Sequence, residues 1–335
     1  MKWGGGTMID FLLVLERHPV FTGFIPSFQE ASEELNLNMK VFIIDEDKSY
    51  QKQRVELKKF ILAHKIDRLL SINAFIRKHD ILINEEISSL VPCYAWFVDS
   101  IKFLKGEISN LKYYKGISSF EPEDLKYAST YHLAIKYVPL TAGNKIFRKK
   151  FCSKEKYDIS FVGLVAGSSK RLRILNAVAC HCKKYGYKMI CYGHFWHNSY
   201  FLKNIIGAFT FKRKYPALYP YVINRRITPD ECASLYRETR INLNIHVEHH
   251  TGFNCRTFEI LEGGNFELTD EQVGLNPSFK NKQELVFYHN IDELLQSIDY
   301  YLNHEKERKD IAQAGQLFVD LNYKFVDSLN KVLYL

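Results

Sequence analysis

The chain has 335 residues, of which 46 are Lys or Arg and 38 are Asp or Glu, so its formal net charge is +8. Apolar residues make up 46 % and charged residues 25 %, a globular composition that excludes a disordered or collagen-like chain. The length exceeds the roughly 250–300 residues at which one core stops growing, and no apolar run reaches the roughly 20 residues of a membrane-spanning helix. These values indicate a globular protein of two domains that does not span a membrane.

The N-terminal stretch is unlike a targeting signal. Asp10 and Glu16 interrupt its apolar run, and no small-residue cleavage site follows. The residues Gly4–Gly6 lack the Gly-Lys-Ser/Thr ending of a phosphate-binding P-loop and are interpreted as a flexible lead-in. The seven cysteines are an odd number without framework spacing, which favours reduced thiols. We therefore expect a cytoplasmic protein.

Short apolar runs alternate with longer amphipathic stretches in the first half, as in βαβ units around a parallel sheet. The run Met39–Asp47 predicts a buried strand, and a helix is predicted from Gln51. The acidic triplet Asp45–Asp47 at the end of the predicted strand is interpreted as a solvated turn rather than an Asp-x-Asp metal site. A later strand starts at Pro92 and ends near Asp99. Because open α/β sheets bind ligands at the carboxyl edge, Asp99 is a candidate base or acceptor contact; a capping carboxylate is the alternative.

A second series of strands and helices begins with YDISFVGL, after the basic, aperiodic stretch Thr141–Lys156 that we interpret as a linker. From Asp292 to Leu335 the pattern predicts two or three helices with a break at Gly315. The sequence thus predicts an α/β protein with two Rossmann-like, doubly wound domains facing a cleft. Their predicted bounds are 1–148 and 157–320, with a terminal helix over 321–335 that packs back on the first domain.

The segment TGFNCRTFEILEGG follows a predicted strand and opens a helix. A helix start near Gly252, with Asn254 as N-cap, presents backbone N–H groups that suit a diphosphate. Arg256 lies in the first turn, where a cation is unfavourable against the helix dipole unless it holds an anion. Glu259 lies one turn further, where it could accept hydrogen bonds from two vicinal hydroxyls. An ordinary amphipathic helix with surface Arg and Glu is the alternative.

A second phosphate-binding candidate is the loop in SFVGLVAGSSK. A strand ends at Gly163, the small residues Ser168 and Ser169 precede a helix, and Arg171 lies in its first turn. Glycine lets the backbone approach phosphate closely, and the helix N-terminus with its cations would neutralise the charge. A plain βα turn is the alternative interpretation.

The histidines do not predict a metal site. None of them has the His-Glu-x-x-His spacing, so we expect neither a metal ion nor another cofactor. His246 directly follows the strand INLNI and is a candidate donor contact; a polar residue of the surface or the cleft is the alternative. The histidines that could be considered as metal ligands are His194, His197, His246, His249 and His250.

Three basic clusters, at 148–150, 212–214 and 225–226, have aromatic residues nearby. No RNP-like or helix-turn-helix pattern accompanies them, so we expect no nucleic-acid partner. Two interpretations stay open for the clusters: a solvated surface, or a peripheral face that meets anionic lipid or a lipid-diphosphate acceptor at the inner side of a membrane.

Residues 157–318 resemble the CgeB-like (spore maturation protein) glycosyltransferases, a group with the GT-B fold that is related to glycosyltransferase family four. Four stretches carry the resemblance, in matching order and spacing: YDISFVG, ITPDECASLYRETRINLNIH, GFNCRTFEILEGGNFELTD and YYLNHEKERKDIAQAG. The resemblance implies a metal-independent transferase that moves a sugar from a UDP- or GDP-linked donor to a hydroxyl of a glycan, lipid-linked or protein acceptor. The relation to family four also suggests retention of anomeric configuration.

The resemblance also assigns residues. Glu259 matches the second Glu of the family-four Glu-x7-Glu motif, which holds the nucleotide ribose, whereas the first Glu position falls on Thr251 and departs from the pattern. Gly163, Arg171 and Arg256 match positions around the donor diphosphate. A nucleotide-sugar epimerase of the same fold and a non-catalytic sugar- or nucleic-acid-binding protein are the alternative functions.

Overall fold

The computed structural model describes residues 8–45, 47–77, 80–104, 106–143, 145–148, 154–197, 200–272 and 279–333. Within these ranges the chain forms two compact units. The first unit holds the residues up to 143, Thr251–Phe253 and the residues from Tyr323 onward; the second holds Lys145–His250 and Asn254–Asn322. Each unit contains one six-stranded parallel sheet. The predicted α/β fold is therefore confirmed.

The first unit is built around central strands that are buried on both faces. Its strands are β1 (Ile9–Glu16), β2 (Leu37–Ile44), β3 (Arg68–Ile72), β4 (Ile76–Arg77), β5 (Asp80–Ile81), β6 (Cys93–Phe97), β7 (Gly116–Ser119) and β8 (Lys136–Tyr137). Its helices in this part of the chain are α1 (Pro19–Thr22), α2 (Ile25–Glu34), α3 (Tyr50–His64), α4 (Glu85–Leu90) and α5 (Glu123–Ser129), with 3₁₀ turns at Ile101–Phe103 and Ile108–Tyr113. The sheet order is β2-β1-β3-β6-β7-β8, and β4 and β5 form a separate antiparallel pair. The central residues 11–15 of β1 are fully buried, as expected for a parallel sheet covered on both sides.

The second unit repeats this architecture. Its strands are β9 (Tyr157–Val162), β10 (Met189–Tyr192), β11 (Val222–Ile223), β12 (Thr239–Asn244), β13 (Glu267–Asp270) and β14 (Val286–Tyr288). Its helices are α6 (Ser169–Tyr185), α7 (Phe201–Lys214), α8 (Pro229–Arg237), α9 (Cys255–Glu262), α10 (Ile291–Asn303) and α11 (Glu305–Asn322), with a 3₁₀ turn at Tyr219–Tyr221. The sheet order is β11-β10-β9-β12-β13-β14, which is the order of dinucleotide-binding folds. In such sheets the ligand binds where the strand order reverses, here between the carboxyl ends of β9 and β12.

The last helix, α12 (Phe325–Leu333), belongs to the first unit. The Phe325 ring lies 5.0 Å from the ring of Phe28 and 5.7 Å from that of Trp96. A Cβ on Gly143 would meet the Phe325 ring at 2.6 Å, so the helix also packs closely on the segment before the second unit. The core of the first unit is therefore built from both ends of the chain.

The predicted helix break at Gly315 is wrong. The helix α11 runs without interruption from Glu305 to Asn322. A Cβ at position 315 would lie 2.3 Å from the carbonyl oxygen of Glu284 and 2.8 Å from Leu261. The glycine is therefore needed because the helix packs directly on a neighbouring backbone, and the turn from α11 to α12 follows at residues 323–324.

The acidic segment after β2 forms a turn, in which the Asp47 amide donates to Asp45 Oδ1 at 3.1 Å; Glu46 lies outside the described residues. Within the ranges given above, no helix has both the length and the apolar character needed to cross a membrane.

Candidate functional site

The carboxyl ends of β9 and β12 bring together two loops and two helix N-termini. The loop after β9 leads into α6, and the loop after β12 leads into α9. Gly163 directly follows β9, and a Cβ there would meet the Phe161 ring at 2.8 Å. This glycine thus makes room for the Phe161 ring, and Arg171 Nη1 lies at ordinary contact distance, 3.5 Å, from the same point.

Arg171 is 6 % exposed and crosses the gap between the two loops. Its Nε donates to the carbonyl oxygen of Ile245 at 2.8 Å and its Nη1 to that of Leu164 at 2.6 Å. Burial and the charge of Arg256 lower the pKa of Arg171 to about 10, so the guanidinium stays charged at neutral pH. No carboxylate of the described residues forms an ion pair with it; backbone oxygens hold the guanidinium, and the charges of Asp270 and Glu248 favour its charged form from a longer distance.

Arg256 is the second cation of the site. The side chain of Asn254 caps α9 by accepting the Arg256 amide at 3.0 Å, as the sequence predicted. The Nε atom of Arg256 is buried and has no hydrogen-bond partner among the described residues. A buried donor without a partner is costly, and the two guanidinium groups repel each other. An anion bound between them would remove both penalties.

Glu259 lies one turn after Arg256 in α9 and is partly buried. Burial raises the pKa of its carboxyl group, and the charge of Arg256 opposes the rise. The predicted ribose-binding residue and the predicted diphosphate-binding arginine are therefore neighbours in the structure.

Gly252 does not stand at the start of α9. The helix begins at Cys255, and Gly252 belongs to the first unit, where a Cβ would meet the carbonyl oxygen of Phe120 at 2.7 Å. Next to it, the fully buried Glu121 accepts hydrogen bonds from the amide and the hydroxyl of Thr251. The expectation that Gly252 presents helix amides to a ligand is therefore wrong; this glycine permits a close approach of two backbone segments.

The amino end of α6 already binds a carboxylate. Glu248 accepts hydrogen bonds from the Ser168 hydroxyl at 2.9 Å, the Ser169 hydroxyl at 3.3 Å and the Lys170 amide at 2.8 Å. Burial would raise its pKa, but these hydrogen bonds lower the pKa of Glu248 to about 2. An acidic side chain from the loop after β12 thus occupies the helix end at which the sequence predicted a donor phosphate, and the donor contact of the two serines stays a prediction.

A cavity of about 480 Å³ lies beside the same helix end, lined in part by Gly167, Ser168, Ser169, Arg173, Lys214 and Tyr215. It reaches the two serines, but neither Arg171 nor Arg256 lines it. The cavity and the pair of arginines are therefore separate features of the second unit.

His246 is an internal residue, only 1 % exposed. Its Nε2 accepts the amide of Asn254 at 3.3 Å, so the ring proton lies on Nδ1 and is donated to Asp270 Oδ1 at 3.0 Å. Burial lowers the pKa of His246, although the bond to Asp270 opposes the shift. The Asp270 carboxylate also pairs with Lys170 Nζ at 2.6 Å. His246 therefore positions the residue that caps α9, a role that the sequence did not reveal.

A buried polar cluster between the carboxyl end of β12 and the first residue of β13 was also missed. Asn244 donates to Glu267 Oε1 at 2.9 Å and to Thr257 at 3.1 Å, and it bonds the Asn254 side chain in both directions. Glu267 is fully buried, and its Oε2 has no partner among the described residues. Burial raises the pKa of Glu267 to about 7, so the carboxyl group is largely protonated below neutral pH. In the sequence, this cluster is indicated only by the asparagines and the Glu that interrupt two otherwise apolar strands.

Asp99 lies in the first unit, exposed just beyond the end of β6. The side chain of Asn73, which follows β3, donates to Asp99 Oδ2 at 3.3 Å. The residue thus lies at a carboxyl sheet edge as predicted, and its chemical role stays a prediction. In the described part of the chain, no three His, Cys, Asp or Glu side chains converge as metal ligands would.

Comparison with known proteins agrees with this architecture. A family model described as glycosyl transferase-like matches residues 171–333. The spore protein CgeB of Bacillus subtilis is 22 % identical over 238 residues, which are 67 % of this chain and 69 % of that protein.

Among solved structures, a glycosyltransferase from Rickettsia africae superposes with a TM-score of 0.66 at 12 % identity, covering 97 % of both chains. Anabaena HepE in complex with UDP and glucose superposes with a TM-score of 0.63 at 10 % identity, covering 97 % of this chain and 98 % of that one. The expected resemblance is confirmed: the chain is similar to the CgeB-like glycosyltransferases and has the GT-B fold.

Proposed function

We propose that the second unit binds a UDP-linked sugar with its diphosphate between Arg171 and Arg256. The observation that carries the proposal is a pair of cations at the carboxyl ends of β9 and β12. Arg171 is buried without an ion-pair partner among the described residues, and the buried Nε of Arg256 has no described hydrogen-bond partner. The solved complex of HepE with UDP-glucose supports UDP as the nucleotide.

The transfer itself needs stabilisation of the leaving group. An acceptor hydroxyl oxygen forms a bond to the anomeric carbon, the bond from that carbon to the diphosphate breaks, and the hydroxyl proton passes to a base. The diphosphate gains negative charge as it leaves, and positive groups fixed in advance stabilise that charge. Arg171 is suited to this because two backbone carbonyls hold it rigidly.

The other parts of the proposal concern the sugar and the metal. We propose that Glu259 accepts the ribose hydroxyls and that the two arginines, rather than a bound metal ion, balance the diphosphate. We also propose retention of the anomeric configuration, with a glycan or lipid-linked hydroxyl as acceptor. Proton NMR of the product gives the configuration, and activity that persists in EDTA would support metal independence.

The donor site is tested by calorimetric titration of the full chain with UDP. Arg256→Met removes a cation whose buried Nε has no hydrogen-bond partner among the described residues, so UDP affinity should fall by about tenfold to a hundredfold while the protein stays folded. Arg173→Met is the matched control, because Arg173 is exposed on the helix that carries Arg171 and should leave affinity unchanged.

Arg171 needs a second variant because its removal breaks two internal hydrogen bonds. Arg171→Lys keeps the charge, so a loss of UDP affinity in Arg171→Met that the lysine partly restores would identify an electrostatic role. Equal UDP affinity in the wild type and in Arg256→Met would contradict the proposed donor site.

A further inference from the structure

The helix α7 exposes a row of large apolar side chains. Phe201 is 78 % exposed and Phe209 is 69 % exposed. Leu202, Ile205 and Ile206 are exposed between them, and Tyr200 precedes them. Single exposed apolar residues are ordinary in proteins, whereas a contiguous group of this kind marks a surface for interaction.

These side chains share one face of the helix. At about 100° per residue, positions 201, 202, 205, 206 and 209 fall within an arc of about 140°. The opposite face is fixed to the unit: Asn204 accepts a hydrogen bond from Trp196 Nε1 at 2.8 Å, a Cβ on Gly207 would meet the Trp196 ring at 2.8 Å, and Phe211 is buried. The exposed arc is thus turned outward by packing on its reverse side.

The charges on α7 are all positive. Lys203, Lys212, Arg213 and Lys214 are exposed, and the helix contains no Asp or Glu. On the same projection Lys212 and Arg213 fall just inside the two edges of the apolar arc, about one turn after its last residue. A helix with an apolar face and flanking cations is the pattern of a segment that lies in the interface of an anionic bilayer.

We infer that α7 docks the protein on the surface of a membrane containing anionic lipid. The apolar arc enters the boundary between headgroups and acyl chains, and the basic residues contact lipid phosphates. The helix is about 21 Å long and one of its faces is occupied by the protein, so it lies on the membrane and does not cross it.

The charges argue against a second copy of the chain as the occupant. A symmetric contact through α7 would bring together two copies of a helix whose charges are all positive, and α7 supplies no acid to neutralise them. Anionic lipid supplies the complementary charge, and attraction to such a surface amounts to about fivefold in affinity for each basic residue.

The test is flotation of the full chain with vesicles of phosphatidylcholine alone or with about a third phosphatidylglycerol. The wild type should bind the anionic vesicles at least about tenfold more tightly than the neutral ones, and high salt should weaken that binding. The double variant Ile206→Gln, Phe209→Gln should bind the anionic vesicles about tenfold or more weakly than the wild type, because each apolar side chain buried in the membrane contributes strongly to partitioning.

The matched control is Leu317→Gln, Leu321→Gln, two exposed leucines of α11, which should bind like the wild type. Replacement of Lys203, Lys212 and Arg213 by Gln should abolish the preference for anionic vesicles. Unchanged melting curves by circular dichroism show that each variant is folded, independently of any nucleotide. Equal binding to both vesicle types, unchanged binding of the α7 variants, or a wild-type dimer that the apolar variant converts to a monomer would overturn the inference.

Discussion

The carboxylate of Glu248 accepts a hydrogen bond from the Ser168 hydroxyl at 2.9 Å and occupies the amino end of α6. The partners lie 80 residues apart in the chain, on the loops that follow β9 and β12. A carboxylate at this place satisfies helix amides that would otherwise be unpaired. It also adds a negative charge at the same sheet edge as Arg171 and Arg256.

This contact predicts competition between Glu248 and an anionic ligand. The variant Glu248→Gln removes the negative charge, so UDP should bind several-fold more tightly, while the ligand-free protein should melt at a lower temperature because its cap is weaker. Calorimetry and thermal melts measure the two effects. Glu305→Gln, on the exposed face of α11, is the control. An unchanged UDP affinity in Glu248→Gln would mean that this carboxylate serves only as a helix cap.

The buried carboxyl group of Glu267 predicts a pH-dependent stability difference. Burial raises the pKa of Glu267 to about 7. At pH values between the ordinary pKa of a Glu and about 7, this carboxyl group is ionised in the unfolded chain and protonated in the folded chain. The free energy of unfolding therefore falls as the pH rises through this range. Glu267→Gln does not titrate. From about pH 5 to about pH 8 the free energy of unfolding of the wild type should therefore fall by on the order of 3 kcal/mol relative to that of Glu267→Gln.

Urea unfolding of both proteins at the two pH values measures this difference. Glu248→Gln is the control, because the pKa of Glu248 is lowered to about 2 and its carboxylate stays ionised at both values. If the stability gap between Glu267→Gln and the wild type were the same at both pH values, Glu267 would not be the buried acid described above.

The packing at Gly315 predicts that alanine destabilises a helix. Gly→Ala inside a helix ordinarily stabilises it by about 0.5–1 kcal/mol, but here the new Cβ would collide with the carbonyl oxygen of Glu284. Gly315→Ala should lower the free energy of unfolding by about 1–3 kcal/mol, as measured in urea. Gln313→Ala, exposed on the same helix, should change it little. A stabilised Gly315→Ala would show that the two segments separate freely.

Asp99 predicts an effect on turnover without an effect on donor binding. If its carboxylate accepts the proton of the attacking hydroxyl, Asp99→Asn should slow UDP release from UDP-sugar, with water as acceptor, by about a hundredfold and leave UDP affinity unchanged. Asp47→Asn, in the exposed turn after β2, is the control. Wild-type turnover in Asp99→Asn would limit this residue to its hydrogen bond with Asn73.

Local signals in the sequence were sufficient for the fold and for the N-cap of α9 at Asn254, but not for the helix start predicted near Gly252. Alternating apolar runs predicted two parallel sheets, and an asparagine before an amphipathic stretch predicted the cap at Asn254. Both depend on residues close in the chain. Gly315 was misjudged because a glycine in a helical pattern indicates a break just as well as a close contact, and only the neighbouring backbone distinguishes them.

The site could be predicted only in part, because its bonds join distant residues. Glu248 reaches Ser168, and Glu267 reaches Asn244 and Thr257, through contacts that no spacing in the sequence encodes. The exposed face of α7 was missed for a related reason. An apolar arc at helical spacing ordinarily predicts a face toward the core, and here Trp196 occupies the other side.

The packing of α12 on Phe28 and Trp96 also has a consequence for biosynthesis. A ribosome that has made the first 144 residues still has about 180 to add before Phe325 emerges, which takes about 10–40 s at ordinary elongation rates. During that interval the rings of Phe28 and Trp96 lack the cover that Phe325 provides in the folded unit. A nascent chain of this protein is therefore expected to depend on chaperones until α12 is made. Termination before α12 would leave an aggregation-prone, protease-sensitive product.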